Sequence, residues 1–285
     1  MKGRMVLLCL TLLAAPASAQ LPAPSDPAPA DWKVIPDDEI LVMTLSGDRT
    51  VVIRLAARLA PAHVANIRTL ARSHWWDATS IYRVQENFVA QWGDPTERKP
   101  LPPGVTERPA AEFEIGGFEA AQTLSKHDAY STASGLTADG WPVATNGSAA
   151  WLTHCYGTVG VARSASPDTG SGAALFVGIG QSPRRLDRNY TVVGRVIEGM
   201  KFLSTLPRSD APMGVYDSAG ERTEIVSVRL ASELPPAQRP RFAYRGADNT
   251  RFAALIALRE NPPGMVTAGG VDVCDMPMAT MRIRS

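Results

Sequence analysis

The chain has only three cysteines and four histidines in 285 residues, and that scarcity limits its chemistry. His154 and Cys155 are adjacent, but no second ligand pair stands at a zinc-type spacing, so no metal is assigned. Charge of one sign is also lacking. Lys and Arg number 29 against 28 Asp and Glu, a net charge of +1, whereas nucleic-acid binders carry a clustered basic excess. The pair Arg184-Arg185 is too short to change this, so no nucleic-acid partner is expected. Long hydrophobic runs are missing as well. The best candidate, residues 5–15, falls short of the roughly 20 apolar residues that span a bilayer, so no stable membrane insertion is expected. Nothing in the composition calls for a cofactor.

That short apolar run has a reading of its own. Lys2 and Arg4 precede it, and Ala17-Ser18-Ala19 follows with the small-x-small pattern of a cleavage site. Residues 1–19 are therefore expected to be a signal peptide, cut near Ala19, which makes the mature protein periplasmic or secreted. Cys9 lies inside the apolar run, not just after a cleavage site, which argues against a lipid anchor. Cleavage leaves Cys155 and Cys274. An even pair in an oxidising compartment suggests a disulfide, the alternative being two separate buried thiols. The bond would close a loop of roughly 120 residues, worth at most about 4–5 kcal/mol in the chain-entropy model.

An apolar fraction of 45% and a charged fraction of 20% fit a folded globular chain. Residues 20–36, rich in Pro and Ala, read as a linker. From residue 37 the pattern is mostly strands. Residues 40–45 and 50–55 are β-branched apolar runs around Ser46-Gly47-Asp48-Arg49, a hairpin signal. Pro61 opens a helix whose Val64, Ile67, Leu70 and Ala71 form one apolar stripe. Further strands are expected at residues 80–84, 88–91, 158–162, 174–179, 191–196 and 224–230, with a second helix at 198–206. Eight short strands with two helices point to a closed antiparallel barrel or a sandwich, and periodicity does not choose between them. Residues 97–150 show little period and read as a long inserted loop. Residues 231–285 form a C-terminal extension with one helical candidate at 249–259.

Three stretches carry a family resemblance. Ile81-Tyr82-Arg83-Val84-Gln85-Glu86-Asn87-Phe88-Val89-Ala90-Gln91-Trp92-Gly93-Asp94 is the first, and Gly157-Thr158-Val159-Gly160-Val161-Ala162-Arg163 the second. The third runs over residues 186–200, from Leu186-Asp187 through Tyr190 to Gly199-Met200, and Ala174-Leu175-Phe176-Val177 fits between the last two. In this order they resemble the cyclophilin-type peptidyl-prolyl cis–trans isomerases, over residues 37–230. The resemblance implies an eight-stranded antiparallel β-barrel with two flanking helices, here with the inserted loop and the extension. It implies acceleration of X–Pro isomerisation in unfolded or partly folded polypeptides.

By the same resemblance Arg83 is the catalytic residue. Phe88, Val89, Phe176, Leu186 and Tyr190 form the proline seat, Gln91 holds a substrate carbonyl or orients Arg83, and the backbone at Ala162 and Arg163 pairs with the peptide. The chemistry suits these residue types. An X–Pro amide turns against a resonance barrier of about 18–20 kcal/mol without breaking a bond, so no nucleophile is needed. A fixed guanidinium offers five donors in a rigid fork and stays charged. The chain departs from the family at Tyr190, where histidine is common, at Arg185, where tryptophan stands beside the leucine, and at Trp92 and Val89. Loss of the indole at 185 implies weak cyclosporin binding. These departures, with the long insertion, keep open a second reading: a cyclophilin-fold proline-peptide-binding module or chaperone with little turnover.

Overall fold

A computed structural model describes residues 23–181, 183–266 and 269–284, and the expected signal peptide lies outside them. In chain order the elements are β1 (Trp32–Val34), β2 (Ile40–Leu45), β3 (Arg49–Leu55), α1 (Pro61–Arg72), β4 (Thr79–Val84) and β5 (Val89–Gly93). Next come β6 (Ala120–Thr123), β7 (Ala133–Thr137), β8 (Pro142–Thr145), β9 (Ala150–Leu152), β10 (Thr158–Val161) and β11 (Leu175–Gly178). The last are β12 (Val192–Glu198), α2 (Met200–Ser204), β13 (Thr223–Leu230), β14 (Phe242–Arg245), α3 (Thr250–Glu260) and β15 (Thr280–Arg282).

Eight strands close into an antiparallel barrel in the order β10-β11-β5-β4-β13-β2-β3-β12. These are the eight segments that the sequence marks as strands. Inward residues alternate along each strand, as Leu41, Met43 and Leu45 do on β2 and Val51, Ile53 and Leu55 on β3. Val64, Ile67, Leu70 and Ala71 of α1 join the same cluster. Each such Val, Leu, Ile or Met side chain contributes about 1.5–3 kcal/mol on burial. The β2–β3 hairpin turns at Gly47 and Asp48, both at positive φ, where glycine carries no penalty. The second helix is shorter than expected, because Glu198 stays in β12 and Gly199, at φ +84°, ends the strand.

Beyond the barrel, the structure corrects three expectations. The insertion is not a plain loop: β6, β7 and β8 lie within it and, with β9, form a four-stranded sheet. Those strands read AAQT, ASGLT and PVAT, too poor in large β-branched residues to announce themselves. Residues 32–34 of the expected linker form β1, and the C-terminal extension carries β14 and β15 besides its helix. These three make a sheet in the order β1-β14-β15, where Trp32 pairs with Arg245 across more than 200 residues of chain. Local composition holds no sign of such a partner.

The three outlying segments build one body against the barrel. Leu124 and Leu136 of the insertion share a core with Phe252, Ile256, Val273 and Met276 of the extension. Trp141 and Val143 pack on Ala56, Leu59 and Val192, and Phe242 on Ile40 and Val52, so two further clusters join this body to the barrel. Polar ties reinforce them. Glu112 of the insertion accepts the Ala62 and His63 backbone N–H groups at 2.8 and 3.0 Å, capping α1, whose own N-cap Ala60 offers no side-chain acceptor. Cys155 and Cys274 are disulfide-bonded, with Cα atoms 5.2 Å apart, and clamp the extension to the barrel.

Candidate active site

The β4–β5 hairpin sets the geometry. Arg83 on β4 pairs with Gln91 on β5, Gln91 pairs with Phe176 on β11, and Phe176 pairs with Gly160 on β10. Directly paired residues share a face of a sheet, so these four positions form one row across the barrel wall. The row ends in glycine for a steric reason. A Cβ at 160 would lie 2.3 Å from the Phe176 ring, so only glycine lets that ring fold down over β10.

Arg83 is held on three sides. Its Nε donates to the Met213 carbonyl at 2.7 Å, one terminal nitrogen to Gln91 Oε1 at 3.0 Å and the other to Gln85 Oε1 at 2.7 Å. Of five guanidinium N–H groups, two then have no acceptor among the described residues. Gln91 Nε2 in turn donates to the Tyr82 hydroxyl at 2.6 Å, so both ends of that amide are engaged. Burial draws the Arg83 pKa down and pushes the Tyr82 phenol up. Arg83 nevertheless stays charged at neutral pH, since an arginine starts far above it.

Around this cation stands an apolar wall. Val89, Phe176 and Leu186 are buried together, with Phe88, Ala162 and Tyr190 packed on them. Tyr190 meets Phe176 edge-on at 5.6 Å, and His154 stacks beneath the same ring at 6.0 Å. His154 is held in turn by Asp187, whose carboxylate also pairs with Arg184 at 2.7 Å. All nine residues singled out in the sequence, Arg83, Phe88, Val89, Gln91, Ala162, Arg163, Phe176, Leu186 and Tyr190, line one hollow of about 580 Å³, with Arg185 and Met213. Among the described residues the lining contains no Ser, Cys, His, Asp or Glu, so they supply no serine or thiol nucleophile and no carboxylate or imidazole base. It offers a cation above a greasy seat.

Several contributors had no separate mark in the sequence reading. Tyr82, Gln85 and Gly160 lie inside the quoted motifs but carry no role in them, although β alternation places residue 85 on the face of 83. The Met213 carbonyl arrives from a loop 130 positions away, and no local signal points to it. A second hollow of about 340 Å³ adjoins the first and shares Gln91, Ala162 and Arg163 with it. Insertion residues Glu97, Lys99, Leu101 and Glu107 line that second hollow.

Comparison with known proteins decides the family. The model of the cyclophilin-type peptidyl-prolyl cis-trans isomerases matches residues 40–229, two thirds of the chain. The chain belongs to the cyclophilins. A Brucella suis protein named as a peptidyl-prolyl cis-trans isomerase is 28% identical over 180 residues, covering 63% of this chain and 76% of its own. A Staphylococcus epidermidis protein of like name is 26% identical over 200 residues, 68% of this chain and 95% of its own. Among solved structures, cyclophilin AquaCyp293 from Hirschia baltica superposes with a TM-score of 0.67 at 24% identity. That match covers 89% of this cyclophilin and 94% of the other chain, so the likeness in fold extends past the barrel into the added body.

Proposed function

We propose that this cyclophilin isomerises X–Pro bonds in exported polypeptides, with Arg83 stabilising the twisted amide while the proline ring sits against Phe176. One observation carries the reading: Arg83 is fixed by three acceptors and keeps two N–H groups at the rim of an apolar hollow. As the amide rotates, its nitrogen loses conjugation and becomes a better acceptor. A donor already in place then binds the transition state more strongly than the planar ground state, which is what lowers a barrier. Because the neighbours of Arg83 hold it before substrate arrives, little reorganisation is needed at the moment of reaction. Gln91 acts by orienting Arg83, both ends of its amide being already engaged. The Phe176 and Leu186 side chains grip the ring by area burial, and the small Ala162 leaves room for the peptide backbone alongside.

The exported context rests on the signal-like residues 1–19 and on the disulfide, a bond that persists in oxidising compartments. Cyclosporin binding is expected to be weak, since a guanidinium and not an indole stands at 185; nanomolar inhibition would contradict this.

The deciding experiment is a proline-limited peptide isomerisation assay on the protein from residue 20 onward, comparing wild type with Arg83→Ala. Loss of one preorganised donor costs about 10²–10³ in rate. A fall of that size supports the reading. Wild-type turnover no faster than the uncatalysed reaction would favour the proline-binding module instead.

A further inference from the structure

The proline hollow is lined by three guanidiniums, those of Arg83, Arg163 and Arg185, and among the described residues by no carboxylate. This is local, because the whole chain carries a net charge of only +1. Eleven arginines elsewhere among the described residues face an Asp or Glu, as Arg54 does Asp139 and Arg229 does Asp77. The three in the hollow have no ion pair among the described residues. Arg163 donates to the Asn189 and Ser164 carbonyls at 2.9 and 2.8 Å and lies over the Tyr190 ring. Arg185 is exposed and spreads over the Phe88 ring, 4.8 Å from its centre.

A cleft lined by one sign of charge over apolar walls concentrates the field and draws in the opposite charge. The adjoining hollow has the reverse balance, with Asp94, Glu97, Glu107 and Asp168 against Lys99 and the shared Arg163. A substrate carboxylate is thus repelled from that side and drawn toward Arg185, which belongs to the proline hollow alone.

We propose that this enzyme prefers prolines with an Asp or Glu as immediate neighbour in the chain, and that Arg185 is the residue that reads the acidic side chain. The inference rests on the isomerase reading above. The attraction is electrostatic and partly solvent-exposed, so it acts on substrate capture and falls with salt.

The test uses short blocked peptides with Glu, Gln or Lys on either side of the proline, their exchange followed by NMR. The expected result is kcat/KM for the better Glu peptide about two- to five-fold above its Lys counterpart at low salt, as one surface ion pair allows. In about 0.5 M salt the ratio should approach unity. Arg185→Glu should invert the order of Glu and Lys, while Gln, being uncharged, serves as the internal reference. Equal Glu and Lys values in wild type, with Gln turned over normally, would overturn the preference and leave the isomerase reading intact. A preference that survives Arg185→Glu would overturn the assignment to Arg185. No turnover of any peptide would remove the isomerase reading and this inference with it.

Discussion

The barrel and the body beside it are held together in different ways. The barrel is a closed hydrogen-bonded ladder, so its eight strands leave no open edge, and one large cluster fills it together with α1. The added body has two open sheets of three and four strands, all only three to five residues long, and its apolar residues fall into separate smaller clusters. Sheets of that size are marginal by themselves and need an outside face to pack on. The body finds that face on the barrel and adds the Glu112 cap, the Arg54 guanidinium between Trp141 and Tyr244, and the disulfide. The lesson is one of dependence in a single direction. The body needs the barrel, while the row Arg83–Gln91–Phe176–Gly160 belongs wholly to the barrel.

Perturbations that touch one region at a time sharpen this contrast. The largest effect is expected from Arg83→Ala, which should remove two to three orders of magnitude in kcat/KM, about 3–4 kcal/mol, with little change in Tm. A comparable loss of stability with that loss of rate would break the separation between site and scaffold. Cys274→Ser should act in the opposite sense. Opening a loop that spans 119 residues is expected to cost about 2–4 kcal/mol of stability. Hydrogen exchange should rise in residues 231–284 and in the insertion, while isomerase activity at 25 °C stays within a few-fold of wild type. An abolished activity in a still folded barrel would show that the body supports the site after all.

Gly160→Ala is a smaller change within the barrel. The added methyl meets the Phe176 ring, which must tilt into the hollow, so activity should drop about ten-fold, near 1.4 kcal/mol, with KM rising more than kcat falls. A variant with unaltered KM would show that Phe176 does not seat the proline. The smallest effect concerns pH. Burial pushes the Asp94 carboxyl up, but backbone N–H groups of Lys99, Thr96 and Arg98, with the Thr96 hydroxyl, outweigh it and hold the pKa at about 2. A folded-state pKa below the ordinary 3.8 stabilises the fold above about pH 4, and that stabilisation disappears as pH falls toward 2. Unfolding free energies from urea titration of wild type and Asp94→Asn should therefore differ by about 1 kcal/mol at neutral pH, this carboxylate being only partly buried, and converge near pH 2. A constant gap across that range would contradict it.

Much of the barrel was legible in the chain because its information is local. Hairpins such as residues 40–55 carry alternating apolar runs and a turn signal, and the stretch from Ile81 to Asp94 holds the catalytic candidate, Gln91 and two of the five seat residues in fourteen consecutive positions. The boundaries moved by only one or two residues, as with Val89–Gly93 against the expected 88–91. The outlying segments were opaque for the reverse reason. β7 is ASGLT, a string that specifies nothing until β6 and β8 flank it, and β1 has three residues whose partner lies at 243–245. Around the site, the Met213 carbonyl and the stacked His154 depend on loops brought in from afar.

What the sequence determined alone was the strand pattern of the barrel, the order of the motif residues and the charge they bring, since short-range periodicity and side-chain chemistry are written residue by residue. Only the tertiary structure decided that Arg83 has three acceptors and two N–H groups without one among the described residues, that three arginines share one hollow, and that three distant segments make a single body. Those outcomes depend on strand register and on contacts across one or two hundred residues, which are selected by packing free energy and leave no local trace.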